Sequence, residues 1–258
     1  MSEFLPDFAT AGFNCSPNFG NRAEGFAPSM VILHYTGMRT GRSAEDWLCN
    51  PASQVSCHYL VYETGDVVQM VREQDRAWHA GKSYWRGVTD INSASIGIEM
   101  VNPGHEFGYE DFPDAQMNAV IALCADIVKR NRMDPAMILA HSDVAPGRKV
   151  DPGERFDWKR LHAAGLGHFV AAAAMRKGQI LQKGDSGEAV HEWQSMASTY
   201  GYGIEITGLF DDRTVAVTDA FQRHFRPRRV DGRVDWSTRQ TMRRLLRSMS
   251  GSAPTLIT

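Results

Sequence analysis

The chain has 258 residues, 43% hydrophobic and 22% charged, with a formal net charge of -2, a length that suits one medium domain and one small one better than a single core. No apolar run approaches the ~20 residues that span a bilayer, which excludes an integral membrane segment. With no net basic field, nucleic acid is not expected as a partner, and the basic stretch Arg223, His224, Arg226, Arg228 and Arg229 reads as a solvated face. Cys15, Cys49, Cys57 and Cys124 are scattered without a CxxC pair, so reduced thiols are expected. The N-terminus lacks the positive start and continuous apolar core of a secretory signal. Cytoplasmic localisation is the expectation, with delivery to the periplasm by a non-classical route left open, and the chain is expected to be a monomer.

After a loop-like opening rich in Asn, Pro and Gly, the apolar run at 30–33 predicts a buried strand that delivers His34 to its end. Residues 43–48 have a capping-box-like start and read as a short helix. The segment 55–72 predicts two strands joined at Glu63, Thr64, Gly65 and Asp66, a hairpin turn signal. Another strand covers 95–101, mostly apolar but carrying the single carboxylate Glu99. From Asp111 to about Asn131, apolar residues recur at helical spacing, with Pro113 in the first turn and Cys124 in the core. A short strand at 137–140 ends at His141, a Gly/Pro-rich loop follows, and Asp157 is placed to cap a helix beginning WKRL. The composition shifts at Ala171 to Gly178, which divides the chain into 1–175 and 176–258. Alternating strands and helices in the first part predict an α/β fold with a mixed central sheet flanked by helices. The second part predicts a compact three-helix domain with a frayed tail, GSAPTLIT.

A catalytic zinc ion takes three protein ligands, commonly imidazoles plus one carboxylate, and keeps a fourth position open. His34 and His141 follow predicted strands, and Asp151 sits in the loop returning towards His141, so these three can supply such a set. Spacing alone does not single them out among nine histidines. A thiol mechanism through Cys57 and His58 fails on geometry, because adjacent residues of a strand point to opposite faces.

The strings VILHYTG, SCHYLVYETGDVVQMV, WHAG, SIGIEMVN and HSDVAPGRKVDPG resemble, in this order, the type-2 N-acetylmuramoyl-L-alanine amidases, the family that includes AmpD, AmiD and bacteriophage amidases. The resemblance covers most of the first part. It implies Zn²⁺ as cofactor, held by His34, His141 and Asp151. It also implies Glu99 as the general acid/base and Lys149 as the ammonium that stabilises the oxyanion. His58 and His79 lie in family-like strings and are open to two readings, contact with substrate or a ligand on one hand and a structural role on the other. Trp78 is open in the same way, as a contact to a sugar or peptide face or as a rim or core aromatic.

The second part is similar to a peptidoglycan-binding module whose pattern includes L-x-x-G-x-x-G-x-x-V, G-x-F-D-x-x-T, F-Q and D-G, over roughly 180–245. Trp193 stands near a position where many members have Leu, and Val234 where a second glycine often occurs. The implied function is hydrolysis of the bond between N-acetylmuramic acid and L-alanine, with peptidoglycan or a muropeptide as substrate. A recognition protein with weak catalysis and a zinc peptidase acting on wall crosslinks are the alternatives. Tethering by a separate module implies that truncation before Gly178 spares small substrates.

Overall fold

The computed structural model describes residues 5–250; the tail expected to fray lies outside the described residues. The opening, expected to be a loop, contains two short strands, β1 (Gly12–Phe13) and β2 (Phe19–Asn21). Their side chains are mostly exposed, so no apolar alternation marks them in the sequence. β3 (Met30–Tyr35) carries the buried apolar run on through His34. α1 (Gly41–Leu48) starts earlier than expected because Thr40 is its cap and accepts a hydrogen bond from the Ser43 amide.

The predicted hairpin is β4 (Tyr59–Val61) and β5 (Val67–Gln69), antiparallel. Its turn closes through Tyr62 N–H to Asp66 O and Gly65 N–H to Tyr62 O, with Gly65 at φ +91°, a conformation that favours glycine. β6 (Asp75–Ala77) pairs with β2, and α2 (Ile91–Ala94) leads directly into β7 (Ser95–Met100). After α3 (Gly104–Phe107), α4 (Asp114–Asn131) begins at a Pro113 N-cap and buries Met117, Val120, Leu123, Cys124 and Ile127. β8 (Ile138–Ala140) runs into α5 (His141–Val144), and α6 (Trp158–Ala163) is capped by Asp157, which accepts from Arg160 N–H at 2.9 Å.

Six strands form one mixed sheet in the order β1-β5-β4-β7-β3-β8, antiparallel only at β4–β5. Successive strand residues face opposite sides, and β3 shows both. Val31 and Leu33 pack in the core that includes the apolar face of α4, whereas Met30 and Ile32 pack in a second core.

That second core reaches the C-terminal part. Residues 168–180 run without regular secondary structure into α7 (Glu188–Tyr200), α8 (Asp212–Phe225) and α9 (Trp236–Ser250). A repeated D-x-x-T pattern starts the last two helices: Asp211 accepts from Thr214 N–H and Asp235 from Thr238 N–H, each at 2.8 Å. These motif residues are therefore helix caps, each contributing about 1 kcal/mol. Trp193 is fully buried with its indole N–H on Thr218 Oγ1 at 3.0 Å. It joins Phe221, Phe225 and Leu245 in one core with Met30, Ile32 and Leu139 of the sheet. The three helices thus help to cover the sheet face opposite α4. Among the described residues no helix is long and apolar enough to cross a membrane.

Candidate active site

Three neighbouring strands set the site. In the parallel register His34 of β3 lies beside Glu99 of β7, and Leu33 lies beside Ala140 of β8, so the next residue, His141, extends the same row. Cross-strand neighbours share a face, which brings two imidazoles and a carboxyl group together from positions distant in sequence. The chain then turns back: Ser142 N–H donates to Asp151 O at 3.0 Å and closes the loop that returns Asp151. His34 Nδ1, His141 Nδ1 and Asp151 Oδ2 stand 2.8, 3.0 and 2.9 Å from one another.

The hydrogen-bond partners assign the tautomers. His141 Nε2 lies 3.1 Å from Ala80 O, and a carbonyl only accepts, so Nε2 carries a proton and in the neutral ring Nδ1 presents its lone pair. Ser95 Oγ donates to Ile91 O, which leaves it to accept from His79 Nε2 at 3.3 Å. His79 Nδ1 is then bare and accepts from His34 Nε2–H at 3.0 Å, which leaves His34 Nδ1 bare as well. Burial first, then His141, lowers the His34 pKa to about 4, and burial holds His79 well below the usual range. In the neutral rings two imidazole lone pairs and the Asp151 carboxylate oxygen converge on one point, the arrangement a cation requires. The donor set fits zinc.

Around this centre lies a cleft of about 470 Å³ whose walls include Glu99, Lys149, Trp78 and His105. Glu99 Oε2 is buried and has no hydrogen-bond partner among the described residues. Burial, then the charge of Asp151, pushes its carboxyl well above the usual range, while Lys149 pulls it back.

Residues 24–154 match the family described as N-acetylmuramoyl-L-alanine amidase, and residues 186–242 match a putative peptidoglycan binding domain. The chain belongs to the N-acetylmuramoyl-L-alanine amidase family. It is 35% identical to the amidase AmiD of Escherichia coli, over 84% of this chain and 82% of that protein. To the 1,6-anhydro-N-acetylmuramyl-L-alanine amidase AmpD of Enterobacter cloacae it is 32% identical, over 57% of this chain and 86% of that one. The fold is similar to that of Escherichia coli AmiD in its complex with the substrate anhydro-N-acetylmuramic acid-L-Ala-D-gamma-Glu-L-Lys, with TM-score 0.72, 32% identity and coverage of 88% and 93% of the two chains. AmpDh3 of Pseudomonas aeruginosa gives TM-score 0.71 at 28% identity, covering 92% and 96%.

The amidase thus brings His34, His141 and Asp151 together and lines the adjoining cleft with Glu99, Lys149, His79 and Trp78. His58 is placed elsewhere. It is fully buried, its Nδ1 accepts from Gly97 N–H at 2.9 Å, and its Nε2 faces Asp75 O and Arg22 Nη2 at 3.1 Å. Burial, then Arg22, lowers its pKa to about 3. With both nitrogens engaged in the scaffold, it has none to offer a substrate.

Sequence reasoning missed Arg148, although it stands inside the HSDVAPGRKVDPG string. Its guanidinium donates to Ala80 O and Lys82 O, fixing the carbonyl that orients His141. His105 was missed too: it contacts Tyr35 OH at 2.9 Å and Glu154 at 3.2 Å, and no local pattern announces it.

Gly97 in the SIGIEMVN string has a steric reason. A Cβ there would meet the His79 ring at 2.5 Å. Gly97→Ala is expected to displace His79, freeing the His34 ring and lowering metal affinity and turnover about 10- to 100-fold. Chelator competition and turnover on one preparation check this; unchanged values for both would show that His79 does not orient the ligand.

Proposed function

We propose that the amidase hydrolyses the amide between the lactyl group of N-acetylmuramic acid and L-alanine, using one zinc ion held by His34, His141 and Asp151. The observation that carries this reading is the convergence of two bare Nδ1 atoms and Asp151 Oδ2 within 3.0 Å, beside Glu99. Zinc, when bound, supplies the Lewis acidity that makes water a nucleophile near neutral pH. Glu99 accepts the proton of the attacking water and passes it to the departing nitrogen of L-alanine. The Lys149 ammonium stabilises the negative oxygen of the tetrahedral intermediate. His79 and Ala80 O hold the two imidazoles in the required tautomer.

A recognition protein that binds without cutting would have no need of this complete donor set together with Glu99 and Lys149. The AmiD structure carries anhydro-N-acetylmuramic acid-L-Ala-D-gamma-Glu-L-Lys, and one of AmpDh3 carries an anhydromuramic pentapeptide. These relatives support soluble anhydro-muropeptides as substrates here, and the C-terminal module supports polymeric wall as a second one. Mass spectrometry of digests of both tests the reading. Peptides with free L-alanine amino termini are expected, whereas cleavage only within the peptide crosslinks would replace it with a crosslink peptidase.

A further inference from the structure

The segment that carries two of the three ligands, residues 141–151, is packed on one side against the C-terminal module. Asp143, two residues beyond His141, is 1% exposed. Its Oδ2 accepts from Ala140 N–H at 2.9 Å and from His224 Nδ1 at 2.7 Å, and its Oδ1 accepts from Tyr202 OH at 2.8 Å. His224, expected on a solvated face, is instead buried on α8, and Tyr202 lies in the turn after α7. The His224 ring stacks on Trp158 of α6 at 3.7 Å, so its orientation is fixed from both parts of the chain.

Further along the same segment, Arg213 Nη1 donates to Pro146 O at 3.0 Å while Nε and Nη2 grip Gly203 O. At Gly147 a Cβ would stand 2.9 Å from Ala216 Cβ of α8, so the backbone turn is pressed directly onto that helix. Beside His224, Arg223 lies 3.8 Å from Glu154, which in turn contacts His105 in the cleft wall.

We infer that the C-terminal module is a positioning part of the catalytic centre, with Tyr202, His224 and Arg213 holding the His141-to-Asp151 segment in ligand geometry. The inference rests on the zinc reading above. It reverses the expectation that removing the module would spare small substrates, because the loss would unclamp the ligand segment as well as the tether. Asp143 is the link. A buried carboxylate keeps its place only while its hydrogen bonds are made, and a shift at Asp143 is passed through two peptide units to His141.

The test uses full-length protein and a soluble muropeptide that needs no wall binding. Tyr202→Phe removes one hydroxyl and keeps the ring against Trp85, His224→Leu removes the second donor, and His224→Asn returns an N–H near the Nδ1 position. Arg243→Ala, which breaks a half-buried ion pair with Glu192 within the module and away from the ligand segment, is the control. Zinc affinity by chelator competition, kcat, KM, sacculus pull-down and thermal unfolding are measured on each. Tyr202→Phe is expected to lower zinc affinity and kcat about tenfold each, with KM, sacculus binding and the control unchanged. His224→Leu is expected to do more, and His224→Asn to recover part of the loss. His224→Leu disturbs the junction on any reading, so Tyr202→Phe decides. Zinc affinity and kcat within twofold of wild type in that variant would overturn the inference alone, whereas wild type that binds no zinc and turns over equally without it would overturn the zinc reading beneath it.

Discussion

His34→Ala, His141→Ala and Asp151→Ala are each expected to lose bound zinc and to lower turnover on the order of 10³-fold or more. Lewis-acid stabilisation is worth several kcal/mol, and each ~1.4 kcal/mol is a factor of ten in rate. Chelation of wild type should give the same loss, and Zn²⁺ should restore it. A second readout is independent of activity. The three donor atoms lie within 3.0 Å of one another, and a cation that binds them only in the folded chain stabilises it by mass action. The unfolding temperature of wild type should therefore rise with added Zn²⁺, and that rise should vanish in all three variants. Full turnover by a preparation shown to be metal-free by elemental analysis would sink the mechanism.

How much of this was legible in the sequence depends on whether the signal is local. The strand ending near His34, the hairpin turn at Gly65 and the cap at Asp157 rest on short-range patterns, and all three are present. The placement of His34 beside Glu99 is a matter of strand register between residues far apart in the chain, so only the resemblance of the motifs pointed to it. β1 and β2 went unread because exposed edge strands need no apolar alternation. His58 shared a string with family-like residues, yet its role is set by which groups meet its nitrogens, a tertiary fact. The helical module shows the same limit. The spacing of Val190, Trp193 and Ala197 says that one face of α7 is buried. It does not say that the core there continues into Ile32 and Leu139 of the sheet, and that continuity is what makes a tether reading of the module incomplete.

Glu99→Gln is expected to lower turnover by at least ~10²-fold while zinc content stays near stoichiometric, because proton transfer by a positioned group supplies about that much. The substitution keeps the shape of the side chain and removes its basicity. Glu99 sits beside His34 in the β3–β7 register, but the converging donor cluster consists of His34, His141 and Asp151 without it, so metal binding should survive. Its Oε2 makes no hydrogen bond among the described residues, which leaves that oxygen available to a water or an amide nitrogen in the cleft. Lys149→Met should also lose ~10²-fold through the oxyanion. The double variant should lose less than the product of the two, since both act on one transition state. Single-turnover rates on a defined muropeptide, zinc content and thermal unfolding would be taken from the same preparations. Lost zinc in Glu99→Gln would make Glu99 a ligand or the support of one. Near-normal turnover with zinc retained would move the general base elsewhere. His79 is a poor successor, because its one bare nitrogen already accepts from His34; His105, in the cleft wall and held by Tyr35 and Glu154, is the next residue to replace.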